Sequence, residues 1–192
     1  MTSAPVRRRT ASAEVSAALL NAAKAVLDRD GTGGITIRAV AREAGVAPMS
    51  VYNRFDHKEG LLTALAMRSL DELATAIKTS GGDAPVERFR RACRGYRQFA
   101  LCHPARYSLI FASGTPLSDQ TSAVAERGHA VFLILADLIT GFATTADPME
   151  SAQAVWSAIH GAVTIEQVGI GQTGDPAASF DALLGLLIRG LG

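Results

Sequence analysis

Cysteine is nearly absent from the chain, with only Cys93 and Cys102 present. Two thiols are too few for a disulfide scaffold or a four-ligand structural zinc site, and they suit a reducing compartment. Aromatic residues are scarce at 6%, a bias that favours helix over sheet. An excess of one charge is lacking too: 19 lysines and arginines face 18 acids, a formal net charge of +1. That balance excludes a wholesale polycation and leaves room for a local basic face. No segment approaches the ~20 uninterrupted apolar residues of a membrane span. The start matches a secretory signal only in outline. Glu14, Asn21 and Lys24 interrupt its apolar run, and Asp28, Arg29 and Asp30 stand where a cleavage site needs small residues. A cytoplasmic location is expected. What is present is 192 residues, 48% of them apolar. That is enough chain for one large domain or two small ones, and too apolar for global disorder.

Apolar positions recur at helical spacing almost everywhere. Val15, Leu19, Ala22, Ala23, Val26 and Leu27 make a first stripe, stopped by Gly31-Thr32-Gly33-Gly34. Ile37, Val40, Ala41 and Ala44 make a short second one ending at Gly45, and Val51 and Phe55 a third. A longer helix with Leu61, Leu65, Leu70, Leu73 and Ile77 follows, then one opening near Pro85 and a short one at Pro104. Residues 113–119 read as a loop by composition. Two long helices around Val131 and Val155 come next, and a last one carries the ladder Phe180, Leu183, Leu184, Leu187, Ile188, Leu191. No period-two strand competes. The expectation is an all-α protein of about nine helices.

Charge concentrates at the front: residues 1–60 carry +3 and residues 61–192 carry −2. This points to a partner-binding N-terminal third. Within it, Ile35 to Leu62 reads ITIRAVAREAGVAPMSVYNRFDHKEGLL. Two helices of about two turns meet at Gly45 in a short turn, the pattern of a helix-turn-helix. Ile37, Val40, Val46, Val51 and Phe55 are expected to fill the shared core, with the helix at residues 14–29 as third wall. Such a three-helix, homeodomain-like unit presents its second short helix to the major groove.

Here the sequence resembles the TetR family of transcriptional regulators, on Thr36, Val40-Ala41, Ala44-Gly45-Val46, Ser50-Val51-Tyr52, Phe55, Lys58 and Leu61-Leu62. The resemblance implies that Thr36, Tyr52 and Lys58 touch phosphates and that the helix at residues 48–54 reads bases. Each residue also has a plainer role open to it. Thr36 is a natural N-cap, and capping is compatible with anion binding. Lys58 falls in a first helical turn, where the macrodipole disfavours a cation unless a phosphate docks; a solvated lysine beside Glu59 is the alternative. Tyr52 either donates to a phosphate or only packs its ring. Ala47 stands where a serine or threonine commonly caps the recognition helix, a loss of ~1 kcal/mol that Pro48 partly offsets. Met49 suits a thymine methyl, Ser50 a base edge or phosphate, and Asn53 an adenine or phosphate. Arg38 reaches DNA from the flank. Asp56 and His57 compete to cap the fourth helix, Asp56 pairing with Glu59 as a capping box, and His57 is a further candidate for a DNA contact. Arg7-Arg8-Arg9 is either a groove-binding arm or a basic disordered tail spanning residues 1–10.

The second half resembles a subgroup of the same family, on Val155-Trp156-Ser157-Ala158-Ile159-His160-Gly161 and on His103 to Phe111. The resemblance implies an effector pocket lined by Phe99, Tyr107, Phe111, Phe132, Trp156 and His160. The plainer alternative makes Trp156 core and bonds His160 to a buried carbonyl. Gly161 is expected to let helices pack closely. Helices at residues 148–170 and 177–190 are the expected homodimer contact. The domain layout expected is an arm at 1–10, a DNA-binding domain at 11–60 and a ligand-binding and dimerisation domain at 61–192. Enzyme chemistry is not expected. The histidines and cysteines are scattered, no Gly-x-Ser-x-Gly occurs, and Gly169 to Gly174 follows a helix where a nucleotide loop would follow a strand. No cofactor or metal is implied. The function expected is a repressor that binds double-stranded operator DNA and is released by a small apolar or aromatic molecule. The alternative is a DNA-binding regulator with no small-molecule effector.

Overall fold

The structure, a computed structural model, describes residues 6–79, 83–112, 119, 121–143 and 146–192, with side chains from Glu14 onward. Met1–Pro5 and the side chains of Arg7, Arg8 and Arg9 lie outside the described residues, as does most of the 113–119 loop. Among the described residues there are nine helices and no strand. They are α1 (Val6–Gly34), α2 (Ile37–Glu43), α3 (Pro48–Phe55), α4 (Lys58–Ile77), α5 (Pro85–Cys102), α6 (Pro104–Phe111), α7 (Ala123–Ile139), α8 (Pro148–Val168) and α9 (Pro176–Leu191).

Local chemistry explains most of these bounds. Proline opens α3, α5, α6, α8 and α9, because its fixed φ suits the first helical position and its missing N–H has no intrahelical partner there anyway. Asp147 and Asp175 cap α8 and α9, each carboxylate accepting from two backbone N–H groups at 2.8–3.1 Å. Gly169 ends α8 at φ 73°, in the left-handed region that suits glycine. The glycine run lies in the last turn of α1, where Gly31 takes φ 70°, ψ −176° and kinks the helix.

The chain forms two compact units. One comprises residues up to Ser69 together with Ala105–Val124, the other Leu70–Pro104 together with Ala125–Gly192. α4 therefore contributes to both, and α6 belongs with the N-terminal helices.

In the first unit Leu19, Ala23, Val26 and Leu27 of α1 are buried with Ile37, Val40 and Ala41 of α2, Val51 of α3, Leu61 and Leu65 of α4, and Leu109 and Ile110 of α6. Val15, assigned to the α1 stripe from periodicity, is 51% exposed. Arg106 of α6 is buried among these apolar groups, its guanidinium forked onto Asp28 of α1 with Nε donating to Oδ1 at 2.8 Å. In the second unit Phe89, Tyr96 and Phe99 of α5, Leu135 and Ile139 of α7, Val155 and Ile159 of α8, and Phe180 and Leu184 of α9 are buried. Arg97 of α5 forks onto Glu166 of α8 at 2.6–2.8 Å. α4 and α5 approach closely at Gly95, where a Cβ would sit 2.1 Å from the Ala76 carbonyl oxygen. Gly161 does not play the packing role expected of it, since a Cβ there meets no atom within 4 Å.

Candidate nucleic-acid interface

The turn joining α2 to α3 is built on Gly45, whose φ of 68° would strain any residue with a Cβ. Gly45 N donates to the Arg42 carbonyl at 3.2 Å and Val46 N to the Ala41 carbonyl at 2.9 Å, which closes the reversal. Ile37, Val40, Ala41 and Val51 seal the contact between the two helices. Val46, expected in that core, is 38% exposed, because the turn spends its backbone on Ala41 and leaves the side chain outside.

Val51, fully buried, anchors α3, and Phe55 one turn on is half-buried. With that face inward, the opposite face is free: Met49 is 64% exposed, Tyr52 46%, and Asn53 is exposed beside them. Ala47 and Pro48 are exposed and Ser50 is half-buried. Ala47 makes no side-chain cap bond, as its chemistry requires. The helix therefore presents an edge that its own unit does not use.

Two features flank this edge. Thr36 caps α2, its Oγ1 accepting from Ala39 N at 3.0 Å, which leaves the hydroxyl hydrogen free to donate. Arg38, two residues on, is exposed. At the other end, Lys58 is the first residue of α4 and half-buried, with His57 exposed before it. The cap position of α4 falls to His57, whose carbonyl accepts from Leu61 N at 3.2 Å, and not to Asp56. Asp56 is occupied in ending α3. Its N–H donates to the Tyr52 carbonyl at 2.8 Å and its backbone takes φ 58°, ψ −61°. With His57 N donating to the Phe55 carbonyl at 2.6 Å this is a γ-turn of positive φ, a strained conformation for an L residue. Gly60 makes the tight corner possible, since a Cβ there would lie 2.2 Å from the Phe55 carbonyl oxygen. Asp56 stood out in the sequence only as a cap of the fourth helix, and Gly60 did not stand out at all; its one signal was a short polar run, Asp-His-Lys-Glu-Gly, between two apolar stripes.

Of the residues expected to hold an effector, Phe132, Trp156 and His160 come together in the second unit. The Phe132 and Trp156 rings lie 6.1 Å apart and the Trp156 and His160 rings 6.0 Å apart, each pair edge to face. Tyr96, which was not singled out from sequence, ties them. Its hydroxyl shares a 2.9 Å hydrogen bond with His160 Nδ1 and accepts from Trp156 Nε1 at 3.3 Å. Burial pushes the His160 pKa below the ordinary histidine value, which favours the neutral imidazole. Phe99 is buried and packs edge to face on His103, with centroids 5.4 Å apart. Tyr107 and Phe111 pack on each other at 4.9 Å and belong to the first unit. Burial pushes the Cys93 thiol up to about 12, which keeps it protonated and unreactive. Among the described residues no cluster of histidine, cysteine, aspartate or glutamate could hold a metal ion, and no helix is long and apolar enough to cross a membrane.

Comparison with known proteins bears on both halves of the chain. Residues 19–65 match the family model described as bacterial regulatory proteins of the tetR family, and residues 89–187 match that described as tetracyclin repressor-like, C-terminal domain. An uncharacterised HTH-type transcriptional regulator of Mycobacterium tuberculosis is 30% identical over 175 residues, which cover 90% of this chain and 79% of the relative. A protein of unknown function from Rhodococcus sp. RHA1 superposes with a TM-score of 0.77 at 26% identity, covering 92% of this chain and 94% of the other. BioQ, solved with its natural double-stranded DNA operator, superposes with a TM-score of 0.66 at 27% identity, covering 90% and 94%. With an exposed helix-turn-helix in the first unit, a helical second unit, and family matches in both, the chain belongs to the TetR family of helix-turn-helix transcriptional regulators.

Proposed function

We propose that the protein is a cytoplasmic, homodimeric repressor that leaves its operator when a small apolar or aromatic molecule binds its second unit. The observation that carries the DNA half is the unused edge of α3, held by the buried Val51 and flanked by Thr36 and Lys58. In this reading Ala47, Pro48, Met49, Ser50 and Asn53 enter the major groove. Thr36, Tyr52 and Lys58 hold phosphates on either side, with Arg38 and His57 at the margins. A cation in the first turn of α4 opposes the helix macrodipole, and a phosphate docked there removes the conflict. The likeness to BioQ with its operator supports the same placement.

Two half-sites ~34–36 Å apart need two copies of α3. Exposed Ile165 and Val168 of α8, Ile170 just after it, and Leu186 of α9 support pairing through these helices. Fluorescence anisotropy on the DNA upstream of the protein's own gene, titrated across salt, tests the DNA reading. Lys58→Ala is expected to weaken binding about equally on all sequences and to reduce the salt slope by ~1. An unchanged slope removes Lys58 from the phosphate contacts.

The effector reading rests on the Phe132, Trp156 and His160 row, a mostly aromatic surface with polar groups tied into it. Phe99, in the same unit, joins the set in this reading, while Tyr107 and Phe111 lie in the first unit. α4 contributes to both units, so a ligand that favours a shifted α4 spoils the spacing of the half-sites, provided it binds that state better. Trp156→Ala is expected to reduce effector release more than DNA affinity, measured by anisotropy with and without compounds that raise the melting temperature. A regulator without an effector is the second reading, favoured by the burial of Phe99 and Tyr107 at 4% exposure each. Equal loss of both properties in Trp156→Ala makes Trp156 a core residue, and failure of every compound to release the wild type from DNA supports the second reading.

A further inference from the structure

We infer that the operator half-site presents A·T pairs to α3, with a thymine methyl read by Met49 and an adenine edge read by Asn53. The inference rests on the helix-turn-helix reading above and adds to it the chemistry of the bases.

Burial of Val51 fixes the rotation of α3 about its axis. Met49 and Asn53 lie one turn apart on the outward face, ~6 Å from each other, so they address neighbouring base pairs. Met49, at 64% exposure, is the most exposed large apolar residue among the described residues. Its thioether is only a weak acceptor, so its gain in a groove is apolar contact. In the major groove only thymine offers a methyl group. A G·C pair beneath Met49 would have polar edges stripped of water and left without partners, which is costly.

Asn53 carries a donor and an acceptor side by side. That pair matches adenine N6 and N7, whereas guanine O6 and N7 both accept and are matched by arginine or lysine. Residues 47–53 contain no lysine or arginine. The basic residue of α3, Arg54, falls in its last turn, away from the end that enters the groove first. Ala47 and Pro48, both exposed, extend the apolar edge at that leading end. The missing cap side chain thus has a counterpart in recognition: a methyl stands where a hydroxyl would otherwise be.

The test uses the full chain and a randomised duplex library at low salt. The enriched site is resynthesised with uracil replacing one thymine at a time, which removes a methyl and leaves base pairing intact. At one thymine per half-site, uracil is expected to weaken wild-type binding about fourfold, the worth of one buried methyl. Met49→Ala is expected to bind the parent site more weakly and to be indifferent to that same uracil. Asn53→Ala is expected to lose about tenfold at the neighbouring adenine and to keep its other preferences. Both side chains are exposed and alanine favours helix, so helical circular dichroism should match the wild type. A site with G·C pairs at these positions, or a wild type indifferent to uracil at every thymine, overturns the inference and leaves DNA binding standing. A library with no enriched sequence overturns the helix-turn-helix reading and the inference together.

Discussion

Replacing Gly60 with alanine is expected to lower the melting temperature by roughly 6–12 °C and to weaken operator binding by more than tenfold. The added Cβ would lie 2.2 Å from the carbonyl oxygen of Phe55 and 3.2 Å from its carbon. Both are backbone atoms, so no side chain can swing aside. The corner they belong to is already constrained, with Asp56 at φ 58° and the Phe55–His57 bond at 2.6 Å. Relief requires the first turn of α4 to withdraw from the end of α3. That withdrawal breaks the γ-turn and carries away Lys58, two residues before the new methyl. A loss of about 3 kcal/mol, at the upper end for overpacking, gives the melting shift in a chain of this size. Gly45 provides the contrast. Its Cβ would meet nothing within 4 Å, but its φ is 68°, so Gly45→Ala costs only the ~1–2 kcal/mol of a left-handed residue. Thermal unfolding and anisotropy on the same samples check both. If Gly60→Ala melts and binds like the wild type, the corner does not set the position of Lys58.

The contrast also shows which features of this protein were open to reading from sequence. Helix starts were, because proline at a first turn acts within a few residues, as at Pro85 and Pro104. The turn glycine was, because Gly45 follows an apolar stripe that has to end. Gly60 was not. It has an ordinary helical backbone, and its reason for being glycine is a carbonyl belonging to the preceding helix. Periodicity named the buried faces but not their limits: Val15 and Val46 fit their stripes and are 51% and 38% exposed. The exposed edge of α3 was legible because it follows from one buried valine and a period of 3.6. The tie between Tyr96 and His160 joins residues 64 apart in the chain, and no local pattern announces it. The grouping of α6 with the N-terminal helices was hidden for the same reason.

That grouping leads to an asymmetric result for the pair Asp28 and Arg106, which are 78 residues apart in sequence. Asp28→Ala is expected to cost about 3 kcal/mol, and Arg106→Leu clearly less. The Arg106 side chain is 8% exposed, so removing the carboxylate takes the forked ion pair from a guanidinium where water restores little of what it loses. The Asp28 side chain is 35% exposed, so with the arginine gone its carboxylate turns to solvent at modest cost. Leucine in place of Arg106 also adds apolar contact beside Leu109 and Ile110, which recovers part of the loss. The double variant Asp28→Ala, Arg106→Leu is expected to be more stable than Asp28→Ala alone, because the buried charge has gone together with the carboxylate that balanced it. Urea unfolding of the four proteins, with equal slopes to confirm a common unfolding reaction, measures the coupling. The pair joins α1, a wall of the DNA-binding module, to α6. The same four proteins should therefore rank in operator affinity near the melting range as they rank in stability. Additive losses across the cycle would mean that α6 is held to α1 by its apolar face alone, with the ion pair contributing nothing.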